Sequence, residues 1–194
     1  LLSRRQRQMC IRDSINAVRR SVKVDGNNQE WANTDHALFV GEKSQVQGTL
    51  RCSCDDKNVY FLVEVLDRSL LRGDYATVYI SPGDSKSLAN GAKRIQVSMD
   101  GLKSTETYAG KWNNAAMGVE VKTYVCNDTN EDRIDNYGYI AEISVPRSSL
   151  TISSGQVLVN FSITDNKEEE AVSDVSSISL SLIHISEPTR LALI

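Results

Sequence analysis

Two runs rich in β-branched and aromatic residues constrain this chain most. The first is Asn58 to Asp67 (NVYFLVEVLD) and the second is Asp74 to Pro82 (DYATVYISP). Such side chains suit a pleated, half-buried surface, and branching at Cβ disfavours a helix. Turn chemistry brackets the pair, with Asp55-Asp56-Lys57-Asn58 before it and Pro82-Gly83-Asp84 after it. The first run is nearly continuously apolar, which predicts a central strand of a two-layer β structure. The polar loop Arg68 to Gly73 joins the runs, so together they read as a central hairpin around which further sheet is added.

The rest of the chain extends the same pattern. Ser21 to Val24 reads as a short strand ending at Asp25-Gly26. Gln29 to Ala32 reads as one turn that drops Trp31 onto the core. Ala37 to Val40 is a further short strand. From Gln45 to Cys54, Val46, Gly48, Leu50, Cys52 and Cys54 share one face, and Gln47, Thr49, Arg51 and Ser53 share the other. Arg94 to Met99 alternates and closes at Asp100-Gly101, a strong hairpin signal. Thr105 to Tyr108 pairs back before Gly110. Val119 to Cys126, Gly138 to Val145 and Val157 to Thr164 complete the set, with a short turn at Pro146 to Leu150. Roughly nine or ten strands at close spacing, with no amphipathic helix, predict an all-β fold. Its form is a β-sandwich of two antiparallel sheets, jelly-roll or immunoglobulin-like.

Length and charge bound the function. The 194 residues suit one domain, and their formal charge is −3. No stretch approaches the roughly 20 apolar residues of a membrane span. The ends differ from the middle. Residues 1–14 hold Arg4, Arg5, Arg7 and Arg12 with little apolar periodicity, and residues 181–194 show no role either. Both resemble translated read-through of sequencing-library adapters, which leaves 15–180 as the domain; the competing reading of the first is a basic arm. The chain begins at Leu1, so an incomplete reading frame is expected, and a missing signal peptide says nothing about export. Without the tails the body is more acidic still, which argues against nucleic acid as a partner. Cys52 and Cys54 would face one side of a strand and Cys126 stands apart. No CxxC pair signals zinc, so these cysteines read as small buried hydrophobes.

The order of elements resembles the family 9 carbohydrate-binding modules. Val24-Asp25-Gly26 with Glu30-Trp31 resembles the family's opening D-G-x-x-x-E-W. DDKNVYFLVEVLD resembles its central strand, and DYATVYISP its following D-x-V-x-I strand. GYIAEISVP resembles its G-Y-x-x-E-x-x-I-P element, and VNFSITDN its late strand. The resemblance spans about Ser21 to Asn166. It implies a β-sandwich and a sugar site in which two tryptophans sandwich a terminal sugar while polar side chains read the hydroxyls. One family tryptophan precedes the D-x-V strand, where this chain has Ser69-Leu70-Leu71-Arg72-Gly73. The other follows the late strand, here Lys167 onward. The family's acidic residue inside the D-x-V strand falls at Thr77.

Candidate sugar contacts are therefore Trp112, Gln96, Ser98, Asp74, Thr77 and Tyr108. Trp112 lies in Gly110-Lys111-Trp112-Asn113-Asn114, where an aromatic among amides serves equally as a platform or as a loop anchor. Trp31, just after the Asp-Gly turn, reads as core. Tyr108 reads as core or as an assisting aromatic, and Gln96 and Ser98 as hydroxyl readers or a solvated face. Asp67, Asp165 and Asn166, with Asp74, carry hard oxygen ligands suited to calcium; the competing reading is a solvated acidic cluster, and no other cofactor is expected. The acidic loop Asn127 to Asp135 is a second oxygen-rich stretch.

Catalytic signatures are missing. His36 is the sole histidine outside the tails, and no nucleophile elbow, phosphate loop or two-histidine metal helix is present. Met99 with Lys103 mimics the haem ligands of a further relative, yet Met99 alternates with Ile95 and Val97 as a core residue does. The expected function is a non-catalytic carbohydrate-binding module of a secreted or surface bacterial multidomain protein. It would be monomeric within its larger chain, extracellular or at the cell surface, with a polysaccharide or oligosaccharide as partner. The alternatives are an interaction or spacer sandwich without sugar binding, and a glycoside-processing enzyme domain relying on two carboxylates.

Overall fold

The computed structural model describes residues 14–32, 37–41, 46–67, 70–82, 89–126, 138–152, 155–166, 176–177 and 181–184. In chain order the strands are β1 (Ser14–Asn16), β2 (Val18–Arg19), β3 (Ala37–Gly41), β4 (Val46–Cys54), β5 (Asn58–Asp67), β6 (Tyr75–Pro82) and β7 (Lys93–Ser98). They continue with β8 (Gly101–Tyr108), β9 (Trp112–Asn114), β10 (Glu120–Cys126), β11 (Gly138–Pro146), β12 (Gln156–Thr164), β13 (Ser176–Ser177) and β14 (Ser181–His184). Two single turns of 3-10 helix, Gln29–Trp31 and Arg147–Ser149, complete the described elements.

The strands form two sheets. Sheet A runs β1-β14-β12-β6-β7-β8-β9, with β13 also on β12; sheet B runs β10-β11-β5-β4-β2, with β3 also on β4. Pairing is antiparallel apart from β1 with β14 and β2 with β4. The fold is the expected β-sandwich. Its alternating strands turn one face inward: Ala76, Val78 and Ile80 from β6 and Ile95 and Val97 from β7 meet Val59, Phe61, Val63 and Val65 from β5. Sheets stacked this way sit about 10 Å apart, and each fully buried side chain of this size contributes about 1.5–3 kcal/mol.

The structure corrects one expectation about the opening pair. β5 is central, as its apolar run predicts, but both of its edges are taken within sheet B by β4 and β11. β6 is not its neighbour; it lies in sheet A between β12 and β7. The stretch between them crosses from one layer to the other. Composition cannot reveal this, because a strand buried on one face reads alike in either layer. Ser21 to Val24 is also not a strand: it runs as irregular chain over the outside of sheet B, and the short strands precede it.

That irregular segment explains why β5 is apolar on both faces. Val22, Trp31, Tyr60 and Leu62 form a second small core on the outer face of sheet B. Trp31 is only 1% exposed, a core residue as its position suggests. Its indole Nε1–H donates to Glu142 Oε1 at 2.8 Å, and the backbone N–H groups of Asp25 and Gly26 donate to Glu142 Oε2 at 2.8 and 2.7 Å. Glu142 is 0% exposed and ties the segment to β11. A second tie is Asp55, whose carboxylate accepts from Ser21 Oγ, Tyr60 Oη and the backbone N–H groups of Lys57 and Asn58.

Of the two end segments, residues 1–13 and 185–194 lie outside the described residues, as does the acidic loop at 127–135. Ser14 opens β1, and Ser181–His184 forms β14 against Gln156 to Val159 of β12. Among the described residues, no helix is long and apolar enough to cross a membrane.

Candidate functional site

With Ala76, Val78 and Ile80 turned into the core, period-2 alternation places Tyr75, Thr77 and Tyr79 on the outer face of sheet A. Register then aligns side chains across the strands. Asn160, Tyr79, Arg94, Glu106 and Asn114 stand in one row. Ser162, Thr77, Gln96 and Ser104 stand in the next. The face is thus polar, with aromatics at intervals.

Trp112 sits at one edge of this face. The Tyr108 ring meets it edge-on with centroids 5.3 Å apart, and Tyr79 lies tilted at 6.1 Å. The Arg94 guanidinium stacks over the indole at 4.7 Å and also pairs with Glu106. The turn carrying Trp112 is itself held: Gly91 N–H donates to Tyr108 O at 2.9 Å, and Ala109 N–H donates to Lys111 O at 2.9 Å. In the next row Ser104 Oγ–H donates to Gln96 Oε1 at 2.8 Å. At the other end of β6, Lys103 lies 4.4 Å from the Tyr75 ring.

Trp112, Tyr108, Gln96, Thr77 and Ser98 therefore come together on one sheet face. Thr77 and Ser98 are buried there, so the accessible groups are their larger neighbours. Tyr79, Arg94, Glu106, Asn114 and Asn160 belong to the same face, and sequence reading alone missed them. Strand alternation offers the signal, since each shares parity with Gln96 once register is known. Asp74, expected among the sugar contacts, lies elsewhere. It is buried, and its Oδ2 and Oδ1 accept from Leu71 N–H at 2.6 Å and Asn166 N–H at 2.8 Å. Its position just before β6 points it into the layer junction. Met99 packs against the core, as its alternation predicts.

That junction gathers carboxylates. Asp67 ends β5, Asp74 precedes β6 and Asp165 follows β12; all three are buried, and each offers an oxygen within 4.8 Å of the others. Asn166, expected as a fourth ligand, spends its side-chain amide nitrogen on Gly73 O at 2.7 Å. Burial pushes the nearby Tyr139 phenol well above its usual range, and the Asp74 and Asp67 charges push it the same way. Three carboxylates this close repel one another when ionised, and hard oxygen donors in such a cluster fit calcium.

The cysteines hold no site among the described residues. Cys52 and Cys54 are buried free thiols, and burial pushes both up, Cys52 the further.

Residues 24–181 match the model described as the carbohydrate family 9 binding domain-like family. The chain belongs to that family. Two solved structures of a carbohydrate binding module family 9 from Caldicellulosiruptor kristjanssonii resemble this family 9 domain in fold, each with a TM-score of 0.66. One, in complex with cellotriose, is 14% identical, covering 93% of this chain and 97% of that one. The other, in complex with glucose, is 15% identical, covering 91% and 97%. A curated relative, endo-1,4-beta-xylanase C of Paenibacillus barcinonensis, is 28% identical over 121 residues. That stretch is 62% of this chain and 10% of the xylanase, so the family 9 domain spans a small part of that relative.

Proposed function

We propose that this family 9 domain is a non-catalytic module that holds a neutral polysaccharide or oligosaccharide against the outer face of sheet A. The carrying observation is Trp112, braced by Tyr108, Tyr79 and Arg94 beside a row of hydrogen-bonding side chains. A pyranose offers C–H faces that pack on aromatic planes and a rim of hydroxyls that needs directed partners. Asn114, Asn160, and Gln96 with Ser104 supply such partners. Arg94 and Glu106 cancel each other's charge, which suits an uncharged sugar. Cellotriose and glucose in the similar structures, and the xylanase relative, favour plant-type β-linked glycans as first probes.

Affinity gel electrophoresis on soluble cellulose and xylan derivatives tests this reading. Wild type should be retarded and Trp112→Ala should migrate freely. A wild type unretarded by any glycan overturns it and favours the spacer reading. Two observations support that second reading: Leu70-Leu71-Arg72-Gly73 carries no aromatic, and Arg94 already covers one face of Trp112.

The same proposal includes calcium bridging Asp67, Asp74 and Asp165, where it would fasten the ends of β5 and β12 to the start of β6. It also includes a place outside the cell or on its surface, within a larger bacterial protein. The unbroken gene sequence tests that setting and the adapter reading of residues 1–14 and 181–194.

A further inference from the structure

The outer face of sheet B carries a groove that the function above does not use. Phe39, Thr49, Glu64, Ile140 and Tyr124 stand in one row across β3, β4, β5, β11 and β10. The irregular N-terminal segment covers the adjoining part of the face at Leu62 and Tyr60 and reaches the row at Asn28, whose Nδ2–H donates to Glu64 Oε1 at 3.0 Å. Beyond that contact the β3 end of the face is exposed among the described residues. Phe39 is 68% exposed and Leu66 is 49% exposed. Between them lies a recess of about 390 Å³, lined also by Gln47, Thr49, Glu64 and Gly41.

The recess is built into the backbone. Gly41 adopts a φ of +86°, and a Cβ there would stand 1.9 Å from Val46 O. No other residue fits, so the row Gly41, Gln47, Leu66 lacks a side chain at its β3 end. The walls combine an aromatic plane with fixed polar atoms. Thr49 Oγ–H donates to Glu64 Oε2 at 2.8 Å, and Arg51 Nε lies 3.6 Å from the same oxygen. Each carboxylate oxygen retains acceptor capacity, and the Gln47 amide offers both donor and acceptor. With Arg51 balancing Glu64, the groove has little net charge to attract an ion.

We propose that the groove between Phe39 and Leu66 is a second saccharide site for neutral pyranose units, on the face of the sandwich opposite Trp112. A sugar C–H face packs on Phe39, and Glu64 and Gln47 receive neighbouring hydroxyls. The volume falls in the range of small-ligand sites. The ligand class rests on the carbohydrate reading given above; the place does not, since it shares no residue with the Trp112 face. Two faces with separate sites let one domain bridge two glycan chains, or two stretches of one, which raises retention on a polymer beyond either site alone.

The test is an amide-shift titration by NMR of the full 194-residue chain, using cellotriose and then xylotriose. Two separate sets of shifts are expected, one at Gly41, Gln47 and Glu64, the other at Gln96, Ser104 and Asn114. Phe39→Ala should weaken the first set roughly tenfold and spare the second, and Trp112→Ala should do the reverse. Gln47→Ala, at a half-exposed position, should weaken the first set without touching the fold. Shifts confined to the Trp112 face overturn the second site and leave the carbohydrate reading standing. Silence on both faces overturns both. A change of oligomeric state on Phe39→Ala, read by light scattering, assigns the groove to a contact between chains and equally overturns the proposal.

Discussion

Glu142→Ala should cost more stability than any surface change in this domain. The carboxylate is fully buried and accepts the Trp31 indole N–H and the Asp25 and Gly26 backbone N–H groups. Hydrogen bonds to a charged group are worth about 1.5–3 kcal/mol each, and a buried donor left without a partner loses about 1–3 kcal/mol in desolvation. The losses share one segment and do not add fully, so the expected cost is about 3–5 kcal/mol. Glu142→Gln keeps the shape and one acceptor oxygen, but its amide N–H₂ must face a donor. Its cost should be smaller, about 1–3 kcal/mol. Urea unfolding followed by tryptophan fluorescence measures both. At a slope of about 2 kcal/mol per molar, the alanine variant should lower the midpoint by about 1.5–2.5 M. Trp31→Phe removes one of the three donors, and its combination with Glu142→Ala should fall short of the sum of the single costs. An alanine variant whose midpoint shifts by less than about 0.3 M would refute the reasoning, because the N-terminal segment would then be held by apolar packing alone.

Further outcomes follow from the other charged groups. Burial works against ionisation of Asp55, yet hydrogen bonds from Ser21, Tyr60, Asn58 and Lys57 outweigh it and hold its carboxyl well below the usual range. A depressed carboxyl contributes its full stability above its unfolded value near pH 4 and loses it as pH falls toward the folded value. The melting-temperature gap between wild type and Asp55→Asn should therefore be widest near neutrality and narrow below about pH 4; a gap constant with pH refutes this. Calcium should raise the melting temperature and a chelator should lower it, by up to about 2.7 kcal/mol of stability at a hundredfold excess over the dissociation constant. Asp74→Asn should abolish that response, and a wild type indifferent to both additions rules out the calcium site. Gly41→Ala should destabilise by about 1–3 kcal/mol from backbone strain alone, and an unchanged urea midpoint would contradict the close approach of Gly41 to Val46 O.

Strand existence was legible because alternation is local. The runs at Val46 to Cys54 and Val157 to Thr164 each carry their own face assignment. Layer membership was not legible. Asn58–Asp67 and Tyr75–Pro82 adjoin in sequence, yet their partners come from residues 138–146 and 156–164, and that choice belongs to the closed sandwich. Trp31 was read correctly as core, although its partner Glu142 lies 111 residues away. The Trp112 face was half legible: alternation turns Gln96 and Ser98 outward, Thr77 follows from the resemblance to the family's D-x-V strand and Tyr108 from its nearness to Trp112, whereas Arg94, Glu106 and Asn160 needed the register between strands. Asp74 reads from sequence both as a sugar contact and as a companion of Asp67 and Asp165; the structure brings it to those two carboxylates, a choice that burial at a layer junction leaves without a periodic trace.

The strap formed by residues 17–32 sets where this domain can be cut. The family match begins at residue 24, but Val22 packs in the outer core and Ser21 is bonded to Asp55. A fusion joined at residue 24 would keep Trp31 and lose both. Joined at 37, it would uncover Tyr60 and Leu62 and leave Glu142 buried-side out, turning a closed face into a sticky one. Anyone grafting this sandwich onto another protein should therefore begin at Ala17 or earlier, since Ala17 already packs in the core.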